Sequence, residues 1–297
     1  MGMIPVAQTR RGNHVWRDEE AADGPLIYVS GMAVDGDGSP HAYHPQNQGL
    51  DYLANARDGE RWFGVVTRNK VPVLQGPGDP APGYYVSPTT LVDASIKDDA
   101  NPRRYVNSEA VPFIAFPSRL YTVDNPKSDI GRLGLGVNLG DYVVVYDMKT
   151  GKSCGGVFAD VGPAYKLGEA SIRVAKELGV NPSPKNGGVD ATLRIAYVVF
   201  PRSFTRFQPA PWPQTPEQVM ERAGQLFAAW GEDDGGGIER LKRTLLAISL
   251  VSSTYGTGSI EQNNPTIDVP EPGERFRDPE LQYHEPAPSP GDGSDLL

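Results

Sequence analysis

Two carboxylates nine residues apart, Asp160 and Glu169, carry the most specific chemical signal in this chain. They lie in Gly155-Gly-Val-Phe-Ala-Asp-Val-Gly-Pro-Ala-Tyr-Lys-Leu-Gly-Glu-Ala-Ser, followed by Ile172-Arg-Val-Ala-Lys-Glu-Leu-Gly. A strand-like run ends at Asp160, a Gly-Pro turn follows, and the chain returns to Glu169 at the expected start of a helix. On that reading Asp160 leaves a strand end toward a cleft, Glu169 is fixed by the first helical turn, and the two side chains converge across one groove. Hydrolysis of a glycosidic bond needs such a pair. One carboxyl protonates the leaving oxygen and the other activates water on the far face of the sugar, roughly 6.5–9.5 Å away in inverting enzymes. A plainer reading stands beside it: an acid at a helix start commonly favours the macrodipole, and an acid at a strand end commonly serves a turn. A helix N-terminus would favour the ionised form of Glu169, whereas burial against apolar neighbours would reverse that, so the acid and base roles stay open at this level.

Other residues could line the same groove. Asp35 and Asp37, in Met32-Ala-Val-Asp-Gly-Asp-Gly-Ser, begin like a calcium loop, but its twelfth position is Gln46 where glutamate is required. They fit better as anionic groups for a cationic sugar, and Asp141 is a further candidate of that kind. Tyr43 and Tyr85, with Trp62, are candidate stacking platforms for sugar rings. His41 and His44 are three apart but followed by Pro45, which disfavours one helical face. No metal and no cofactor is expected. Ser153 and Cys154 lack a nearby histidine, which argues against nucleophilic Ser/His or Cys/His chemistry. Gly151-Lys-Ser lacks the upstream glycine of a phosphate loop.

The elements that must hold these groups are short strands. Thirty-four glycines and 28 prolines in 297 residues exclude a helical bundle and point to β structure with many turns. Strands are expected at Leu26–Ser30, Trp62–Thr67, Tyr84–Val86, Val111–Phe116, Tyr142–Asp147, Gly156–Ala159 and Arg194–Phe200, with Met148-Lys-Thr-Gly-Lys as a hairpin turn. Ile172, Ala175 and Leu178 recur at helical spacing, which predicts a helix over Glu169–Leu178 with Ser171 in its first turn and Gly179 as its stop. After a proline-rich connector, Thr215-Pro-Glu-Gln opens a helix to Trp230, and Ile238–Leu250 is a second, amphipathic one. The expected organisation is a flexible arm at 1–25, a β-barrel domain at 26–201, a helical hairpin at 202–256 and an acidic, proline-punctuated disordered tail at 257–297.

The segment resembles the family 75 glycoside hydrolases, the fungal-type chitosanases. These carry a catalytic Asp and, nine residues later, a catalytic Glu within Gly-Glu-Ala-Ser, matched here by Asp160 and Gly168-Glu169-Ala170-Ser171. Met32-Ala-Val-Asp35-Gly-Asp37-Gly matches an earlier acidic motif, and the likeness covers about residues 26–201. It implies an endo-acting enzyme that cleaves β-1,4 links of chitosan with inversion, and it leans toward Glu169 as the proton donor. Where the fungal enzymes have Gly-Asp-Thr-Asn-Gly, this chain has Ala-Asp-Val-Gly-Pro. That form is similar to double-psi β-barrels such as expansins, family 45 cellulases and the lytic transglycosylases of rare lipoprotein A type. The implied fold is mainly β: a six-stranded double-psi β-barrel with a few helices and an appended C-terminal helical hairpin. The alternative it brings is a non-catalytic or differently specific barrel that binds wall polysaccharide.

The net charge is −9, but from Ile260 onward nine acids face two bases, so the rest of the chain is nearly balanced. An acidic chain without a basic patch argues against nucleic acid, and no apolar run approaches the ~20 residues of a membrane span. The first residues lack the apolar core of a secretory leader, while the resemblance implies an extracellular enzyme, so the compartment stays open. The hairpin and acidic tail are the candidate surface for a protein partner.

Overall fold

The computed structural model of the chain describes residues 2–20, 24–125, 127–190, 193–207 and 212–252. The elements of the principal sheet and its helices are β1 (Met3–Gln8), β2 (His14–Asp18), β3 (Leu26–Ser30), β4 (Ala33–Asp35), β5 (Phe113–Pro117), β6 (Arg119–Tyr121), β7 (Asp129–Gly131), β8 (Tyr142–Asp147), β9 (Ser153–Gly162), β10 (Glu169–Ser171), α1 (Ile172–Leu178), β11 (Ile195–Val199), α2 (Pro216–Trp230) and α3 (Gly237–Ser252). The strands form one sheet of eleven, in the order β7-β6-β1-β2-β3-β11-β8-β9-β5-β10-β4. The mainly-β architecture is therefore as the composition implies. Leu120 near one end of this order and Val34 at the other are buried in the same apolar cluster, with Phe116, Phe158 and Tyr197. Strands so far apart in the order share a core only if the sheet curls around it.

The centre of the sheet follows its sequence closely. Val143-Val-Val-Tyr and Ile195-Ala-Tyr-Val-Val are buried throughout and pair antiparallel as β8 and β11. Such runs of β-branched and aromatic residues suit a strand covered on both faces. The Met148–Lys152 turn joins β8 to β9 as a hairpin.

Three expectations need correction. Residues 1–25 are not a loose arm over their described part: β1 and β2 pair with each other, and Trp16 and Arg17 continue the sheet through Ile27 and Leu26 of β3. Ala7, Val15 and Trp16 are buried, which supplies the apolar contacts that an alternating polar sequence conceals. The spans Trp62–Thr67 and Tyr84–Val86 are not strands of the sheet. Arg57–Asp58 with Arg61–Trp62, and Thr67–Arg68 with Val71–Pro72, make two-residue ribbons, and Tyr85 makes one isolated bridge to Leu74. They belong to a long irregular excursion between β4 and β5.

Nor is the helical pair merely appended. Thr215 and Gln218 form a reciprocal capping box at the start of α2. Its buried Ala223, Phe227 and Trp230 pack with Trp16, Ile27, Val144, Val198 and Phe200 on the outer sheet face. An ideal Cβ on Gly155 of β9 would lie 2.8 Å from Met220 O and 2.9 Å from Ala223 Cβ, so only glycine lets the helix approach this closely. Buried Asp18 of β2 accepts hydrogen bonds from Trp230 Nε1 and Arg240 Nη2, both 2.8 Å. The tail at 257–297 lies outside the described residues.

Candidate functional site

The site is built on the last strands of the sheet. In the β9–β5 ladder Phe158 pairs with Ile114 but Asp160 pairs with Ala115, so Ala159 is an extra, bulged residue. In a regular strand Phe158 and Asp160 would share a face. The bulge shifts the register by one and turns Asp160 away from the main core that holds Phe158. Ala115 also pairs with Glu169, and Glu169 pairs with Ala33. Asp160, Ala115, Glu169 and Ala33 thus form one row across four strands, on one face. Two residues along, Asp35 pairs with Ser171 and shows its side chain on that same face.

This corrects the expected location of Glu169. Glu169–Ser171 is a strand, and α1 begins at Ile172 with Ser171 as its cap: Ser171 Oγ accepts from Val174 N, and Gly179 closes the helix in the left-handed region at φ 71°. Ser171 is buried, with its hydroxyl also donating to Val111 O and accepting from Phe113 N, so the sheet captures these three residues before the helix can. The helix dipole therefore does not act on Glu169 in its first turn.

Gly162, two residues beyond Asp160 on β9, lies against the Glu169 carboxylate. An ideal Cβ there would come 3.1 Å from Glu169 Oε2 and 3.4 Å from Ala115 Cβ. Glu169 reaches back across the small Ala115 toward β9, ending two residues along from Asp160. At ~3.3 Å per residue the backbone of Gly162 lies roughly 7 Å along β9 from that of Asp160, a spacing that matches the window for single displacement through an intervening water.

The excursion between β4 and β5 brings the other groups. Asp160 is 8% exposed, Asp35 4% and Asp37 3%. Asp160 Oδ1 accepts from Thr90 Oγ1 (2.6 Å), Thr90 N (2.8 Å) and Val161 N (3.0 Å). Asp35 Oδ1 accepts from Asp37 N at 2.8 Å, and Asp37 Oδ1 accepts from Tyr43 Oη at 2.9 Å. Each carboxylate thus has one oxygen held by the protein.

Crowding sets the protonation. Burial raises Asp160 to about 6, against the opposing pull of its hydrogen bonds from Thr90 and Val161. Asp35 is pushed well above the carboxylate range by burial, then by the charges of Asp37, Glu169 and Asp160. Asp37 is raised in the same way by burial and Asp160, with Asp51 and Glu169 adding to it and the Tyr43 hydrogen bond opposing. Three donors to one oxygen oppose that rise at Asp160.

Four of the expected site residues, Asp35, Asp37, Asp160 and Glu169, come together. Two do not serve as expected. Tyr43 is 1% exposed, so its ring is no sugar platform; it stands behind Asp37, with its hydroxyl between Asp37 and Asp51 Oδ2 at 3.5 Å. Asp141 is fully buried and accepts from Asn138 N, Arg202 N and Phe204 N, which makes it the anchor of a turn rather than a groove wall. Tyr85 is half-buried in the same excursion, its ring 5.7 Å from that of Trp62. His41 pairs with Glu109 at 2.9 Å, and no His/Cys/Asp/Glu cluster suited to a metal ion occurs among the described residues.

Ser87, Thr90, Asp51 and Gly162 were not legible as site residues. Ser87-Pro-Thr-Thr has no periodicity to mark it, and the role of Gly162 depends on a cross-strand neighbour. No known family model matches this chain, and no curated protein matches it at a significant level. No helix among the described residues is long and apolar enough to cross a membrane.

Proposed function

We propose that this chain is an endo-acting glycoside hydrolase that cleaves β-1,4 links of chitosan by single displacement with inversion. The observation that carries the reading is the row Asp160–Ala115–Glu169, which aims two carboxyls at one face with a residue-sized gap between them.

In this reading Asp160 is the proton donor. Its Oδ1 already accepts three hydrogen bonds, so a proton resides on Oδ2, the oxygen that accepts none of them. Burial keeps it there up to about pH 6. The proton passes from Oδ2 to the glycosidic oxygen as the bond to the leaving sugar breaks. Glu169 takes a proton from the water that attacks the anomeric carbon from the opposite side. This reverses the lean of the family resemblance, and it rests on the three donors that occupy Asp160 Oδ1.

Asp35 and Asp37 supply the preference for a cationic sugar. Both are held largely protonated, Asp35 by burial and the charge of Asp37, and Asp37 by burial and the charge of Asp160. An ammonium group beside them would offset that repulsion and let them ionise, so binding energy is available to an amino sugar and not to a neutral one. The same reading takes the sheet as an elaborated double-psi barrel. Its support is the pair of parallel ladders, β9 with β5 and β10 with β4, joined by the antiparallel β5–β10 pair.

The test is incubation with chitosan, cellulose and peptidoglycan followed by measurement of new reducing ends. The reading expects them from chitosan. Binding without cleavage, or cleavage of only the other two polymers, would replace it with the wall-binding or transglycosylase-like alternative.

A further inference from the structure

The segment Ser87-Pro88-Thr89-Thr90 crosses the site and touches a carboxylate at each end. Ser87 Oγ is 3.1 Å from Asp37 Oδ1, with Gly64 O an alternative acceptor at 3.1 Å. Thr90 donates from both its amide and its hydroxyl to Asp160 Oδ1, and its Oγ1 also accepts from Val161 N at 3.2 Å. The segment is itself fixed. Thr89 Oγ1 donates to Leu91 O at 2.8 Å and accepts from Val106 N at 2.9 Å. The next amide, Leu91 N, donates to the carbonyl of the bulged Ala159 at 2.8 Å. The piece of chain that holds the two aspartates is thus tied to the irregularity that turns Asp160 toward the site.

We propose that Ser87–Thr90 is a strap that clamps one oxygen each of Asp37 and Asp160, and that Thr90 is the positioning residue fixing which Asp160 oxygen carries the transferable proton. The inference rests on the hydrolase reading for its purpose, but its geometry does not depend on the substrate. With Oδ1 saturated by donors, protonation is confined to Oδ2. Without the Thr90 hydroxyl, one donor to the ionised form is lost and Oδ1 competes for the proton. The charges that act on Asp37 are those of Asp160, Asp51 and Glu169, with Tyr43 hydrogen-bonded to it, and those that act on Asp35 on β4 are Asp37, Glu169 and Asp160. No cation among the causes of their shifts offsets the change.

The experiment is a carboxyl carbon NMR titration of the full chain, labelled at aspartate, with Asp160→Asn identifying the Asp160 signal. Thr90→Val removes the hydroxyl at nearly constant shape, and Thr90→Ser restores it. Thr90 is exposed, so neither change opens the core; Thr90→Ala is the second hydroxyl-free variant should valine disturb the fold. The strap predicts that Asp160 in Thr90→Val titrates about one pH unit higher than in the wild type, while Thr90→Ser stays with the wild type. On chitosan, the basic limb of kcat/KM should move upward by the same amount in Thr90→Val alone. Coincident titration of Asp160 in all three proteins, or an equal shift in the serine variant, would overturn the positioning role. A wild type that leaves chitosan intact would refute the hydrolase reading, while the titration would still decide the strap.

Discussion

Replacing Asp160 with asparagine should stabilise the fold at alkaline pH while removing the proposed proton donor. Asparagine keeps a carbonyl Oδ1 that can accept from Thr90 N, Thr90 Oγ1 and Val161 N, the three donors the carboxylate uses. It also removes a buried group that burial raises from 3.8 to about 6. Below pH 3.8 both folded and unfolded chains hold the Asp160 proton, and the residue costs nothing. Between 3.8 and about 6 the unfolded chain releases it first, so stability falls as pH rises, and above about 6 the whole cost is present. At about 1.4 kcal/mol per pH unit that cost is about 3 kcal/mol. For a domain of this size it corresponds to a melting temperature about 6 to 12 °C higher for the variant at about pH 8, with no gap at about pH 3. Thermal or urea unfolding of the two proteins across this range measures it. A variant less stable than the wild type at pH 8, or a gap independent of pH, would refute the account of a carboxylate strained by burial.

Three further outcomes follow from the same geometry. Gly162→Ala should lower activity on chitosan by about tenfold with little change in melting temperature. The new Cβ meets the flexible end of Glu169 at 3.1 Å, and one misplaced catalytic group is costly; unchanged kcat would sink the placement of Glu169. Binding of a glucosamine oligomer at about pH 5.5 should release protons as Asp35 and Asp37 ionise beside the ammonium groups. Calorimetry in buffers of different ionisation enthalpy reads this, and a zero slope would remove those two residues from recognition. Deleting the chain from residue 202 onward should abolish folding, because it strips Trp16, Val144, Val198 and Phe200 of Ala223, Phe227 and Trp230 and leaves buried Asp18 without Arg240. A soluble, cooperatively melting fragment would contradict that.

What was legible in the sequence is what local chemistry decides. The β-branched runs at Tyr142–Asp147 and Ile195–Val199, the hairpin between β8 and β9, and the capped helix from Pro216 all carry their own signals and form where those signals lie. The acidic site was legible as residue types, and Asp35, Asp37, Asp160 and Glu169 do meet. What stayed hidden depends on partners distant in the chain. Glu169–Ser171 has helical spacing after it, yet pairing with β4 and β5 draws it into the sheet. The outward turn of Asp160 comes from a bulge against β5 that no alternation pattern announces. Tyr43 and Asp141 looked like groove residues because an aromatic ring can stack on a sugar and a carboxylate can meet an ammonium group; here each is sealed because its polar atoms find buried partners.

The most direct measurement follows the anomeric proton signals of a glucosamine oligomer as the wild type, Asp160→Asn and Glu169→Gln act on it. The account expects the wild type to release the α anomer first from a β-1,4 link, and each single substitution to cut the rate by a hundredfold or more, on the order of what one acid or base contributes. Initial release of the β anomer, or near-native rates from both variants, would contradict a water-spanning carboxyl pair at Asp160 and Glu169.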